Sequence, residues 1–107
     1  MGKKMTEMTG GQAIVDSLIA NGVKQVFGVP GAQLDYSFSA MYDRSDEISI
    51  IHCRHEQGAA FAAQGYARSQ QSLGVCIATS GPGASNLLTA IADAYADSIP
   101  TLFITGQ

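Results

Sequence analysis

Four short apolar runs, each followed by glycine or polar residues, constrain the fold of this 107-residue chain more than any other feature. The runs lie at 26–29, 48–53, 75–78 and 102–104. Segments in which apolar residues recur at helical spacing separate the runs, so strands and helices alternate along the chain. Such alternation with short connections implies parallel strands joined by right-handed crossovers. The sequence therefore predicts an α/β fold: a doubly wound parallel sheet with the three-layer αβα arrangement of flavodoxin.

Local signals mark the ends of the first two predicted helices. Thr9 and Gln12 have the spacing of a capping box, which places a helix start at this point. Asn21 and Gly22 supply the left-handed stop of the same helix. The second helix ends near residue 43, and its buried face is predicted to consist of Leu34, Phe38 and Met41.

The third and fourth helices differ sharply in composition. The third begins at about Glu56 and contains almost only small residues. Gly58 and Gly65 within it each cost about 1 kcal/mol relative to alanine, which predicts close packing against a neighbour. The fourth helix has Pro82 at its first position. Its apolar stripe is predicted to consist of Leu87, Leu88, Ile91 and Tyr95.

Charge and cysteine content restrict the partners of the chain. A net charge of −3 with only six scattered Lys and Arg argues against nucleic acid, because neutralising phosphates needs grouped cations. No apolar run approaches the roughly 18 residues of a membrane span, so no membrane partner is predicted. Cys53 and Cys76 are both expected in buried strands as reduced thiols, which favours a cytoplasmic location.

Glu56 stands where a predicted strand ends and a helix begins. Ligands of open α/β sheets bind outside the carboxyl ends of the strands, where helix N-termini present free N–H groups. A carboxylate at this place is therefore a candidate for chemistry. The alternative is a first-turn carboxylate that the helix dipole stabilises by about 0.3–1 kcal/mol. The three other junctions, each rich in glycine or polar residues, favour the functional interpretation.

Two other motifs are weaker evidence of a binding site than Glu56 is. The loop at 81–86 lies between a strand and a helix, but Asn86 occupies the place of the third glycine of a dinucleotide fingerprint. His52, Cys53 and His55 are residue types that zinc prefers, yet alternation along a strand directs His52 away from the other two. We therefore predict neither a dinucleotide site nor a metal site in this chain.

Four ordered segments resemble a known family. They are VFGVPGAQLD at 26–35, RHEQGAAFAAQGYAR at 54–68, CIATSGPGASNLLTAIADA at 76–94 and DSIPTLFITGQ at 97–107. Together they are similar to the N-terminal pyrimidine-binding domain of thiamine diphosphate-dependent enzymes, closest to the large subunits of acetolactate (acetohydroxyacid) synthases. The resemblance covers nearly everything from residue 9 to residue 107.

The resemblance assigns roles to individual residues. It implies that Glu56 is catalytic and hydrogen-bonds N1′ of the cofactor aminopyrimidine, which helps to remove the proton from C2 of the thiazolium ring. It also implies a set of residues around the pyrimidine and the reaction centre: Pro30, Gly31, Ala32, Thr79, Pro82 and Asn86. Gln107 would lie near the substrate. Ala32 departs from the Pro-Gly-Gly of many biosynthetic members, which leaves catabolic members and other decarboxylases or carboligases open.

The resemblance further implies parts that this chain does not contain. Family members bind Mg²⁺ and the diphosphate on a second domain, and many bind FAD on a central one. We expect residues 1–8 to be a disordered tail and residues 9–107 to be the front of the pyrimidine-binding domain, truncated after the fourth strand. The active protein would be a homodimer or homotetramer acting on a 2-ketoacid such as pyruvate in branched-chain amino acid biosynthesis, with a regulatory subunit in some members. The chain alone is expected to be inactive, and a non-catalytic flavodoxin-like binding module is the alternative of a different class.

Overall fold

A computed structural model of the chain describes residues 7–31 and 34–106. Strands and helices alternate over this part, as the sequence predicts. The elements are α1 (Gly10–Ala20), β1 (Gln25–Gly28), α2 (Asp35–Asp43), β2 (Ser49–His52), α3 (Glu56–Gln70), β3 (Gly74–Ala78), α4 (Pro82–Ser85), α5 (Leu88–Ala96) and β4 (Thr101–Thr105). The predicted disordered tail falls largely at residues 1–6, outside the described residues.

The four strands form one parallel sheet in the order β2-β1-β3-β4. The chain therefore moves in one direction from β1 to β2 and in the opposite direction from β2 to β3 and β4. Because right-handed crossovers in opposite directions place their helices on opposite faces, α2 lies on one face and α3 and α5 on the other. This is the predicted doubly wound α/β fold, and its strand order matches the first four strands of the flavodoxin order.

Two separate cores cover the two faces of the sheet. On the first face, α1 and α2 bury large aliphatic residues, including Val15, Val26 and Ile48, each at most 1% exposed. On the second face, α3 and α5 bury mainly alanines against β3 and β1. Small side chains let these helices approach the sheet and each other closely. The third helix and the segment predicted as the fourth therefore share a face, and the contrast in residue size is between the two faces of the sheet.

The predicted ends of the first helix are confirmed. Thr9 is the N-cap of α1 and accepts a hydrogen bond from the backbone N–H of Gln12, while the Gln12 side chain accepts from the Thr9 N–H at 2.9 Å. Asn21 caps the C-terminus, and Gly22 follows with φ of +81°. These local rules depend only on neighbouring residues, which is why the sequence alone suffices for them.

The prediction for the fourth helix is wrong in two respects. The segment forms two helices, α4 and α5, with Asn86 in the turn between them. Leu88 and Tyr95 are 63% and 87% exposed, whereas the buried residues are Leu87, Ala90 and Ala94. Each exposed residue follows a buried one directly, and one residue turns the helix by about 100°. The predicted stripe is thus correct at Leu87 and at Ile91, which packs partly buried against the same core, and wrong at Leu88 and Tyr95.

The third helix begins at Glu56 as predicted, but the explanation of its glycines is wrong. A Cβ atom added at Gly58 or at Gly65 would meet nothing within 4 Å. The residues that pack closely are instead the alanines at 59, 60, 63 and 67, each at most 2% exposed. The two glycines lie on the outer side of α3.

Strand β2 is less buried than the sequence predicts. It is one of the two outer strands of the described sheet, and Ile51 is 40% exposed. Cys53 follows the strand and is partly exposed, whereas Cys76 is fully buried in β3. The apolar run at 48–53 is typical of a strand covered on both sides, but an outer position leaves it with one neighbouring strand only. Both cysteines are free thiols.

Across residues 7–31 and 34–106, none of the helices combines the length and the apolar character that crossing a membrane requires.

Replacing glycine with alanine should have opposite effects at two sites of the second face. Gly65→Ala is expected to raise the free energy of unfolding by about 0.5–1 kcal/mol, because alanine favours the helix and the new methyl group meets open space. Gly74→Ala should destabilise the fold, because its methyl group would overlap the backbone of Ala63. Urea unfolding of both variants tests this. A destabilising Gly65→Ala change would mean that the outer side of α3 is packed against something.

Candidate functional site

The candidate site lies at the carboxyl ends of β1 and β3. These neighbouring strands lead into helices on opposite faces of the sheet, which opens a crevice between the two connections. Gly31, in the connection after β1, lies against Thr79, in the connection after β3. A Cβ atom added at Gly31 would be 2.5 Å from the Cβ of Thr79, so only glycine fits at this close approach.

Glu56 reaches this crevice as the first residue of α3. His55 precedes it as the N-cap, and its Nδ1 accepts a hydrogen bond from the Gln57 N–H at 3.0 Å. His55 is thus the helix cap of α3. It fixes the direction in which the first turn of α3 presents Glu56.

Asn86 holds the carboxylate from the other side of the crevice. Its Nδ2 donates a hydrogen bond to Oε1 of Glu56 at 3.0 Å. Gly81, with φ of +67°, turns the chain after β3, and Pro82 begins the one-turn helix α4. This single turn ends at Asn86 and so directs its amide toward α3. The break between α4 and α5 therefore lets Asn86 contact Glu56.

Gly83 completes the arrangement and was not among the predicted site residues. A Cβ atom there would lie 2.9 Å from Cγ2 of Thr79 and 3.4 Å from Oε2 of Glu56. Because residue 83 is glycine, it places no side chain beside the second carboxylate oxygen. The signal available in the sequence was the second glycine of Gly81-Pro82-Gly83, because α4 needs only Pro82 at its start.

The surroundings of Glu56 favour its ionised form. The pKa of Glu56 is lowered from its ordinary value, chiefly because Asn86 donates to the carboxylate and also because its own backbone N–H does. Burial opposes this effect, and His55 adds a small attraction. Nearby in β3, burial raises the pKa of the Cys76 thiol to about 12, with smaller effects from Cys53 and Glu56. Glu56 is thus the ionised group of the site, and Cys76 is a neutral part of the core.

The remaining predicted residues are distributed unevenly. The structure brings Gly31, Thr79, Glu56 and Asn86 together, with Pro82 at the start of α4 beside Gly83. Pro30 lines a different cavity of about 420 Å³ between α2 and β2, together with His52. The predicted roles of Ala32 and Gln107 lie outside the described residues. Among residues 7–31 and 34–106, no group of three or more His, Cys, Asp or Glu side chains is arranged to hold a metal ion.

Comparison with known proteins identifies the family of this fold and site. Residues 8–107 match the family model described as "Thiamine pyrophosphate enzyme, N-terminal TPP binding domain". The chain belongs to the thiamine pyrophosphate enzyme family. Its cofactor is therefore thiamine pyrophosphate, also called thiamine diphosphate. The predicted resemblance is confirmed at this level.

Individual relatives are acetolactate synthases. The chain is 56% identical over 100 residues to the acetolactate synthase isozyme 2 large subunit of Escherichia coli K12, which covers 94% of this chain and 18% of that protein. It is 52% identical over 102 residues to the acetolactate synthase of Arthrospira platensis, covering 94% and 18%. With the probable acetolactate synthase large subunit of Methanocaldococcus jannaschii the identity is 53% over 100 residues, covering 94% and 17%. The chain thus spans less than a fifth of the length of these relatives.

The geometry around Glu56 fits the pyrimidine end of the cofactor. A flat ring with hydrogen-bonding nitrogens needs a carboxylate that it can approach without meeting side chains. Glycine at positions 31 and 83 provides such an approach, and Oε2 faces the space that Gly83 leaves. Oε1 is already held by Asn86, so the carboxylate has a fixed orientation before any ligand binds.

Removing the Asn86 amide should raise the pKa of Glu56. In Asn86→Ala the largest cause of the lowered pKa is lost, so the midpoint of the Glu56 titration, followed by carbon-13 NMR of its carboxyl group, should move up. Asn21→Ala, which removes an amide that donates to the Ser17 carbonyl in α1, is the matched control and should leave the midpoint unchanged.

The same substitution has a consequence for stability. A folded pKa below the unfolded one stabilises the fold above the ordinary glutamate value of about 4.3, and the effect is lost as pH falls through the folded pKa. Asn86→Ala should therefore weaken the fall in stability over that acid range. An unchanged Glu56 midpoint in folded Asn86→Ala would show that the amide does not hold the carboxylate in solution.

Proposed function

We propose that this chain is the pyrimidine-binding part of an acetolactate synthase-like enzyme, which decarboxylates pyruvate and joins the remaining two carbons to a second 2-ketoacid. The proposal rests on one observation above all: the Glu56 carboxylate, held by Asn86 at the switch point of the sheet, has its Oε2 beside the space at Gly83. The relatives named acetolactate synthase support the choice of reaction. Residues 9–107 would form the front portion of the pyrimidine-binding domain.

In this proposal Glu56 is the catalytic residue and works by holding a proton. Thiamine diphosphate, when bound, supplies the electron-accepting chemistry that decarboxylation of a 2-ketoacid requires. Glu56 would bind a ring nitrogen of the pyrimidine through Oε2 and share a proton with it. Asn86 favours the ionised carboxylate of the free chain, so the shared proton would be taken up from solvent as the ring binds.

The other site residues would shape the pocket. Gly31 and Thr79, which approach each other closely, would form the floor of the crevice, and Pro82 and Gly83 would form a wall beside Glu56. Pro30 and Ala32 would continue the loop after β1 along the reaction centre, and Gln107 would lie near the substrate. Among the described residues these groups surround one end of a cofactor only. The proposal therefore assigns Mg²⁺, the diphosphate and, in an FAD-binding member, the flavin to other parts of a longer protein.

Partners follow from the same reasoning. We propose a homodimer or homotetramer in which a second domain, from the same or another subunit, covers the open side of the Glu56 crevice. A regulatory subunit is a further expected partner, in keeping with relatives described as large subunits. The two free thiols suit a cytoplasmic location, where cysteines stay reduced.

A chimeric enzyme tests the function directly. Residues 8–107 of this chain would replace the matching segment of the Escherichia coli relative, which is 56% identical to it over 100 residues. The chimera should form acetolactate from pyruvate. In Glu56→Gln the amide cannot relay a proton to and from the ring nitrogen, so exchange of the cofactor C2 proton should slow by about 10²–10⁴-fold while the protein stays folded.

Glu47→Gln is the matched control, because Glu47 is an exposed glutamate that pairs with Arg44 after α2. It should leave C2 proton exchange unchanged. Exchange at the original rate in Glu56→Gln would remove Glu56 from the mechanism. A product other than acetolactate from the parent chimera would identify the chain with another thiamine-dependent decarboxylase or carboligase.

The 107-residue chain by itself should neither release carbon dioxide from pyruvate nor bind the cofactor tightly. Its pyrimidine contacts amount to a few hydrogen bonds, each worth about 0.5–1.5 kcal/mol net, and these must offset the lost freedom of the cofactor. Isothermal titration with thiamine diphosphate and Mg²⁺ measures the affinity. A micromolar dissociation constant would show that the chain contains a diphosphate site.

A further inference from the structure

The packing of α3 against α5 leaves the register of the two helices weakly specified by side-chain shape. The buried apolar contacts on α3 are alanines at 59, 60, 63 and 67. The facing segment contributes Ala90 and Ala94, together with the buried Leu87 just before α5 and the partly buried Ile91. Helices are normally held in register when large side chains of one enter the grooves of the other. The buried apolar side chains of α3 are all methyl groups, which form shallow ridges and restrict its register less than large side chains would.

One buried polar side chain interrupts this alanine surface. Gln64 of α3 is only 3% exposed. Its Nε2 donates a hydrogen bond to the backbone carbonyl of Ala90 in α5 at 3.3 Å. Its Oε1 accepts from Nε of Arg68, one turn further along α3, at 3.1 Å. Both ends of the amide are therefore satisfied, which is what a buried polar group requires.

Arg68 is fixed in turn by the C-terminal end of α5. Its guanidinium donates to Oδ2 of Asp97 at 2.6 Å and lies 3.8 Å from Oδ2 of Asp93. These are exposed ion pairs, which contribute little to stability by themselves. Their geometric effect is to hold the Arg68 side chain where Nε meets Gln64.

Three polar links thus join α3 to the α4–α5 segment in order along their length. They are Glu56 to Asn86, Gln64 to the Ala90 carbonyl and Arg68 to Asp97. We propose that Gln64, locked by Arg68, is a positioning residue that sets the register of α3 against α5 and so the distance between Glu56 and Asn86. The consequence for catalysis rests on the proposed function of Glu56. The contact between Glu56 and Asn86, however, is present in the chain without the cofactor.

The magnitudes are consistent with this role. Gln64 is eight residues from Glu56, or about 12 Å along a helix that moves as a unit. The Glu56–Asn86 hydrogen bond is 3.0 Å long, and a shift of about 1 Å along the axis would carry it beyond hydrogen-bonding distance. A single buried polar residue that fixes helix register at little gain in stability is a known use of such residues.

The test compares two Gln→Met changes on the same helix of the 107-residue chain. Gln64→Met keeps a long unbranched side chain but removes both hydrogen bonds. Gln70→Met makes the same change at an exposed position and is the control. Two NMR signals are read: the midpoint of the Glu56 carboxyl titration and the chemical shift of the Asn86 side-chain amide. Asn86→Ala supplies the reference for complete loss of the contact.

We expect Gln64→Met to raise the Glu56 midpoint toward that of Asn86→Ala and to shift the Asn86 amide signal, while Gln70→Met changes neither. Urea unfolding should show that Gln64→Met remains folded. A folded Gln64→Met variant with both signals unchanged would overturn the proposal. Such a result would leave the proposed function intact, because that is tested separately by cofactor proton exchange in the chimera.

Arg68→Met is the second variant, for the case in which Gln64→Met does not fold. Arg68 is 12 residues from Glu56, or about 18 Å along the helix, which exceeds the Debye length of about 8 Å at physiological salt, so loss of its charge should have little direct effect on the midpoint. The expected result is a rise in the same direction as for Gln64→Met. An unchanged midpoint and an unchanged Asn86 signal in Arg68→Met would also overturn the proposal.

Discussion

Right-handed crossover of parallel strands is the constraint on which the rest of this structure depends. Because the chain goes from β1 outward to β2 and then back across β1 to β3, its helices are divided between the two faces of the sheet. The connections after β1 and β3 must separate, and a crevice forms where they do. Every residue brought together around Glu56 comes from an element that begins at this edge. The location of the site thus depends on strand order more than on any particular side chain.

The second face of the sheet shows how the site is held in place. Alanines bring α3 close to α5 and to β3, which allows a short glutamate and a short asparagine to meet across the crevice. Close packing of small residues gives proximity but little directional information. Polar contacts supply direction, with His55 capping the helix start and Gln64 linking its middle to α5. Burial of apolar residues therefore brings the helices close together, and polar contacts set their orientation.

The electrostatics of the site follow from the same arrangement. Glu56 is ionised because an amide and a backbone N–H donate to it, and not because a cation lies opposite. Neutral donors favour the charged form without forming a strong ion pair that a ligand would have to break. A carboxylate prepared in this way suits a ligand that brings its own hydrogen-bonding nitrogen. In the proposed function, that ligand is the pyrimidine end of thiamine diphosphate.

The sequence by itself determined the features that depend on neighbouring residues. The capping box at Thr9, the stop at Asn21 and Gly22, the start of α3 at Glu56 and the alternation of strands and helices were all readable from short-range patterns. The four quoted motifs also determined the family, because their order and spacing are specific. Tertiary structure decided what depends on distant residues. Only strand order makes β2 an outer strand and leaves Ile51 exposed, and only packing shows that the alanines of α3, and not its glycines, are the contact surface. The contact between Glu56 and Asn86, 30 residues apart, and the space at Gly83 beside it arise from how two connections meet, which no local pattern encodes.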